Sequence, residues 1–145
     1  MMRKNILFLL LLSGCASQSQ VITTEQIDID RSQLKHLASD DVSMWIPKKV
    51  PPPYPSRALS SGTEGCANVE FIVDSDGRPK NARVVKSSPA GVFDKVALST
   101  VAKFTFSPSA TNSQREAVIT NNTFTFFMSN GRSYAQAAAE CSLNN

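Results

Sequence analysis

The chain has 145 residues, 41% of them apolar and 19% charged, with 15 Lys+Arg against 12 Asp+Glu and a formal charge of +3. That length supports one domain with tails rather than two, and the apolar share excludes wholesale disorder. Arg3 and Lys4 lie in the first five residues; without them the balance is 13 to 12, about +1, which argues against a nucleic-acid footprint on the folded part.

Met1 to Asn5 forms a positive lead, and Ile6 to Leu12 is an unbroken apolar run. Crossing a bilayer takes about 20 such residues, so the pattern predicts a signal peptide over 1–14 rather than a permanent span. Leu12-Ser13-Gly14-Cys15 resembles the lipobox of bacterial lipoproteins. In that class the cysteine thiol carries diacylglycerol and its amine is acylated, and several acyl chains anchor stably where one does so only marginally. The resemblance implies Cys15 as the lipid attachment site and membrane lipid as a partner. Ala16 and Ser17 follow, with no Asp beside the cysteine. This implies sorting to the outer membrane, facing the periplasm.

Residues 15–49 are expected to form a tether, with Ser17 to Thr24 its most polar part. Ile27 and Ile29 suggest a short strand and Ser32 to Ala38 a short helix. Met44-Trp45-Ile46 is an apolar knot, expected to pack on the domain, with a contact of its own as the alternative. Pro51-Pro52-Pro53-Tyr54-Pro55 fixes an extended lead-in, because each proline removes an amide donor and disfavours helix before it. Ser56 to Ser61 allows one or two helical turns, stopped at Gly62. From Cys66 the period becomes two: Ala67, Val69, Phe71 and Val73 share one face, with Asn68 and Glu70 opposite. Asp74-Ser75-Asp76-Gly77 is turn chemistry, and Ala82 to Ser87 returns as the second strand of a hairpin. Phe93, Val96, Ala97, Thr100, Val101 and Phe104 keep helical spacing, which predicts an amphipathic helix over 93–104. A loop over 107–116 leads to a long third strand, Ala117 to Met128. The tail, 129–145, is expected to be helical near Tyr134 to Cys141. The fold class is therefore α+β: a small three-stranded antiparallel sheet packed against helices on one face, with two open edges.

From Pro53 to Phe127 the order of these signals resembles the C-terminal domain of TonB-family energy transducers. Pro53-Tyr54-Pro55 precedes Arg57-Ala58-Leu59, and Val69-Glu70-Phe71-Ile72-Val73 leads into Asp76-Gly77-Arg78-Pro79. Val84 to Asp94 matches the strand-to-helix step, Phe104 to Pro108 the helix exit and Thr123-Phe124-Thr125-Phe126 the last strand. The resemblance implies a domain over 50–128 that binds an extended peptide, the Ton box of an outer-membrane receptor, by strand addition beside its final strand. Carried to this sequence, the implied contact residues are Val118, Thr120, Asn122, Phe124, Phe126 and Phe127, with Tyr54 and Pro55 as a secondary contact. Family transducers start from a transmembrane helix that engages a motor; this chain carries a lipobox instead, which points to an accessory of transport. The second reading is a structural or assembly subunit of an envelope complex, touching its partners through the Trp45 region or the open sheet face.

Catalytic chemistry has no residue set behind it, and no cofactor or small-molecule substrate is expected. The single histidine, His36, has no cysteine or acid at triad or zinc spacing. A calcium loop opening at Asp74 would need an acid at its twelfth position, which is Val85. With Cys15 assigned to lipid, Cys66 and Cys141 remain. An oxidising compartment favours a bridge between them over two buried thiols, worth about 4 kcal/mol by chain entropy.

Overall fold

The computed structural model describes residues 30–128 and 134–143. Cys15, the signal segment and the strand expected at Ile27 to Ile29 lie outside them. At the start, the Asp30 carboxylate accepts from the Ser32 amide and caps a single 3-10 turn, Arg31–Gln33. The chain then enters β1 (Lys35–His36) instead of the expected helix. The local pattern there was weak, and the main chain is recruited by a neighbouring strand, a tertiary contact that overrides propensity. After β2 (Trp45–Lys48) comes α1 (Ser56–Ser60), then β3 (Gly65–Val73) and β4 (Pro79–Ser88). The helix α2 (Asp94–Val101), β5 (Thr105–Pro108), β6 (Val118–Phe126) and α3 (Tyr134–Cys141) complete the fold.

The main sheet has four strands, not three, in the order β1-β6-β3-β4. The two long pairings, β3 with β4 and β3 with β6, are antiparallel as expected. The addition is β1, which lies parallel to the start of β6, Lys35 opposite Val118 and His36 opposite Ile119. A separate two-stranded ribbon joins β2 to β5, with Trp45 opposite Pro108 and Lys48 opposite Thr105. Residues 30–48, read from sequence as tether, thus contribute two strands to the domain. The loop expected from Ser107 begins two residues into β5 and holds a 3-10 turn at Ala110–Asn112.

The Asp74 turn behaves as its residues dictate. The Asp74 carboxylate accepts from the amides of Asp76 and Arg78 at 3.0 and 2.9 Å. Gly77 sits at φ +72°, and a Cβ there would stand 2.0 Å from the Phe106 carbonyl oxygen. The close approach is needed because the Phe106 amide donates to the Gly77 carbonyl at 2.9 Å, fastening β5 to the hairpin.

One face of the sheet carries the core. Val69, Phe71 and Val73 of β3 and Val118, Phe124 and Phe126 of β6 pack on Phe93, Ala97, Val101 and Phe104, joined by Leu37, Met44 and Trp45. Phe93 and Phe126 stack with centroids 4.2 Å apart, and Tyr54 meets both edge-on. Full burial of each such ring contributes about 1.5–3 kcal/mol. Trp45 is buried, and its indole N–H donates to the Glu116 carbonyl at 2.9 Å, so the apolar knot packs inward and only Ile46 of the three stands well exposed.

The second face is not open. α3 lies on β3, β4 and β6, with Ala137 and Cys141 buried beneath it. Cys141 is bonded to Cys66, their Cα atoms 5.9 Å apart across a sequence separation of 75. Alternation along β3 therefore predicted its side-chain faces correctly but not its exposure: Asn68 and Ile72 are buried as fully as the core residues. Glu70, on the same face, pairs with both Arg31 and Arg83.

Candidate partner-binding edge

A sheet edge is a row of unpaired amides and carbonyls, and this sheet has two long ones. Along β4 the pairing with β3 slips twice, between Asn68 and Val69 and between Glu70 and Ile72, and Asn81 adopts φ +50°. Lys80, Arg83 and Lys86 stand exposed on it. Bulges and exposed cations are what keep an edge from pairing further. The β6 edge is built the other way. Its register with β3 runs unbroken from Val118 to Phe126, and the segment from Val118 to Phe127 holds no charged residue.

The chain itself already uses the first part of that edge. The Leu37 amide donates to the Ile119 carbonyl at 2.9 Å, and the Thr120 hydroxyl to the Ala38 carbonyl at 3.3 Å. At Ala38 the chain turns off, closing with Asp41 N–H on the Ala38 carbonyl. Among the described residues no strand pairs with β6 beyond this point, which leaves Asn121 to Phe126 open on the outer side.

The Leu37 bond also sets the phase of the strand. Ile119 turns its main chain outward, and successive residues alternate, so Asn121, Thr123 and Thr125 present N–H and C=O to the open edge. Thr120, Asn122, Phe124 and Phe126 turn theirs toward β3. The side chains of Val118, Phe124 and Phe126 are buried in the core, and those of Thr120 and Asn122 are half-buried on the same face. Of the contact residues inferred from the family, these five therefore hold the strand to its own domain, and the alternate set faces outward. No sequence signal gives that phase, because it depends on which side of β6 meets β3.

Phe127 does stand out, 44% exposed, edge-on to the more exposed Tyr134 at 5.4 Å. The Glu64 carboxylate accepts from the Met128 amide at 2.6 Å and fixes the chain just beyond it. Tyr54 sits at this same end of the strand, its hydroxyl donating to the Thr63 carbonyl at 2.9 Å while the ring contacts Phe126. Burial pushes the Tyr54 phenol above its ordinary pKa, and the Glu64 carboxylate adds to the shift. Pro55 precedes α1 and lines a cleft with Ala58, Thr63 and Val92. Tyr54, Pro55 and Phe127 thus gather around the far end of the open edge, through the Gly65–Phe126 pairing and the bend at α1.

Among the described residues no group of three His, Cys, Asp or Glu side chains is placed to hold a metal, and no helix is long and apolar enough to cross a membrane.

The model of the Gram-negative bacterial TonB protein C-terminal matches residues 50–128, more than half of the chain. Protein TonB of Pseudomonas aeruginosa is 40% identical over 58 residues, 40% of this chain and 17% of that protein. Protein TonB of Yersinia enterocolitica is 34% identical over 58 residues, 40% of this chain and 23% of that protein. The match therefore spans less than a quarter of the length of these relatives. The solution NMR structure of the Pseudomonas aeruginosa TonB CTD superposes with a TM-score of 0.58 at 30% identity, covering 66% of this chain and 97% of that one. With the family model matching more than half of the chain, the chain belongs to the TonB C-terminal family.

Proposed function

We propose that this protein binds an extended segment of an envelope protein, such as the Ton box of a TonB-dependent receptor, by adding it as a strand along β6 from Asn121 to Phe127. The observation that carries this reading is the contrast between the two edges. β4 is bulged and cationic, while β6 is regular, uncharged and left uncovered by β1 after Ile119. Main-chain bonds from Asn121, Thr123 and Thr125 supply affinity, and Phe127 with Tyr134 offers an apolar contact at the end. The protein acts as an accessory of transport and not as a catalyst. Titration with a panel of Ton-box peptides is expected to shift the amide resonances of Asn121, Thr123 and Thr125 in NMR spectra and leave those of β4 in place. A panel that moves none of these three amides sinks the proposal.

The second part of the proposal is the anchor: a signal peptide over 1–14, Cys15 lipidated, and a periplasm-facing domain held at the outer membrane. It rests on the lipobox at Leu12 to Cys15. Residues 16–29 separate Cys15 from the described residues, a reach of at most about 50 Å if fully extended. Cys15→Ser is expected to move the protein from the membrane fraction to the soluble one in cell fractionation. Unchanged partition with no loss of acyl label would remove the anchor from the account.

A further inference from the structure

On the α3 side of the sheet a buried asparagine stands directly behind the open edge. Asn68 is 1% exposed, on β3 opposite Thr123 of β6. Its Nδ2 donates to the Thr123 hydroxyl at 2.7 Å and to Asn121 Oδ1 at 3.3 Å, while its Oδ1 is buried with no partner among the described residues. Thr125 continues the row, its Oγ1 also buried without a partner. Asn121, Thr123 and Thr125 are half-buried and lie on the outer strand, one strand spacing from wherever an added strand would run. The result is a row of uncharged hydrogen-bonding side chains that starts in the interior at Asn68 and ends at the edge.

An isolated buried amide costs stability unless its polar atoms are paired, and here the pairing is incomplete. Thr123 accepts from Asn68, so its own hydroxyl proton is left to donate outward. Asn121 uses its carbonyl on Asn68 and keeps its amide protons for the same side. The side chain of an added strand that stands opposite Thr123, on the α3 side, meets these donors at cross-strand distance. A hydroxyl or carboxamide completes the row, since it both accepts and donates. An ammonium group brings only donors, and a carboxylate would have to lose water beside a row with no cation in it.

We propose that Asn68, Asn121 and Thr123 form a specificity ladder that selects Ser, Thr, Asn or Gln at the position of the incoming strand facing Thr123. This rests on strand addition at β6 and adds to it the chemical class of the bound segment. The test is selection from a display library of ten-residue peptides with alternate positions randomised, on immobilised full-length protein in detergent, using wild type, Thr123→Val and Thr123→Ser. Wild type and Thr123→Ser are expected to enrich hydroxyl and carboxamide residues at one alternate position by about threefold over Lys, Glu and Val, the size of one good cross-strand pair. Thr123→Val is expected to select peptides with that preference gone, which also shows that the variant remains folded. The same polar preference in Thr123→Val, or enrichment of Lys or Glu in wild type, overturns the ladder and leaves strand addition standing. Failure of wild type to enrich any peptide overturns both.

Discussion

Cutting the Cys66–Cys141 bond is expected to lower unfolding stability by about 4 kcal/mol, the chain-entropy value for a loop of this size. A helix of eight residues is too short to persist alone in water, and α3 buries only Ala137 and Cys141. Its hold on the sheet therefore depends on the bond. Two arms separate crosslink from packing: dithiothreitol acting on wild type, and the double variant Cys66→Ala/Cys141→Ala. Denaturant midpoints should fall in both, and amides of α3 should lose hydrogen-exchange protection before those of β3. Loss of α3 also uncovers the part of β3 around Cys66 and Asn68, so newly exposed surface should become detectable by dye binding before global unfolding. A midpoint insensitive to reductant, with two thiols reacting only after denaturation, would mean that packing alone holds the helix.

What was legible in the sequence is the part fixed by short-range rules. The Asp74–Gly77 turn, the alternation of Ala67 to Val73 and the stripe from Phe93 to Val101 each state their structure through two or three residues with steric or periodic demands. Phe104 fits the helical period and so extends the expected helix, yet its ring reaches the core from an irregular exit beyond Val101 rather than from the helix. β1, β2 and β5 were not legible as strands. Two to four residues carry no period, and each exists only because a distant segment offers an edge: Ile119 for Leu37, Phe106 for Pro47. The same limit hid the cover on the second face. Asn68 and Glu70 look like solvent-facing residues, and the sequence-distant α3, pinned through Cys66, buries the first while Arg31 and Arg83 neutralise the second. At the candidate site the strand was legible and its outward phase was not, because that phase follows from the side on which β3 happens to pair.

That phase yields the sharpest test of the binding reading, a pair of adjacent proline substitutions with opposite outcomes. Asn122 pairs with Val69 and turns its amide toward β3, in the middle of the central pairing. Asn122→Pro deletes that donor, leaves a buried carbonyl unpaired and is expected to destabilise the domain by about 3 kcal/mol. Thr123 turns its amide to the open edge, where proline removes no internal ladder bond and is tolerated. Thr123→Pro should cost only about 1 kcal/mol, the Asn68 side-chain bond it gives up, and Thr123→Val, which gives up the same bond, supplies the reference. For an added strand the order reverses. In Thr123→Pro the ring stands where the partner's carbonyl must come, and one bond at the centre of the pairing is missing. Its affinity for any peptide that shifts the β6 amides should fall at least about tenfold, a loss of about 1.4 kcal/mol, while Thr123→Val retains main-chain pairing. Thermal melts and peptide titrations on the three variants measure both quantities together. Equal destabilisation by the two prolines would show that the outward phase assigned from the Leu37 bond is wrong. A folded Thr123→Pro that binds as wild type would show that the peptide docks elsewhere on the domain.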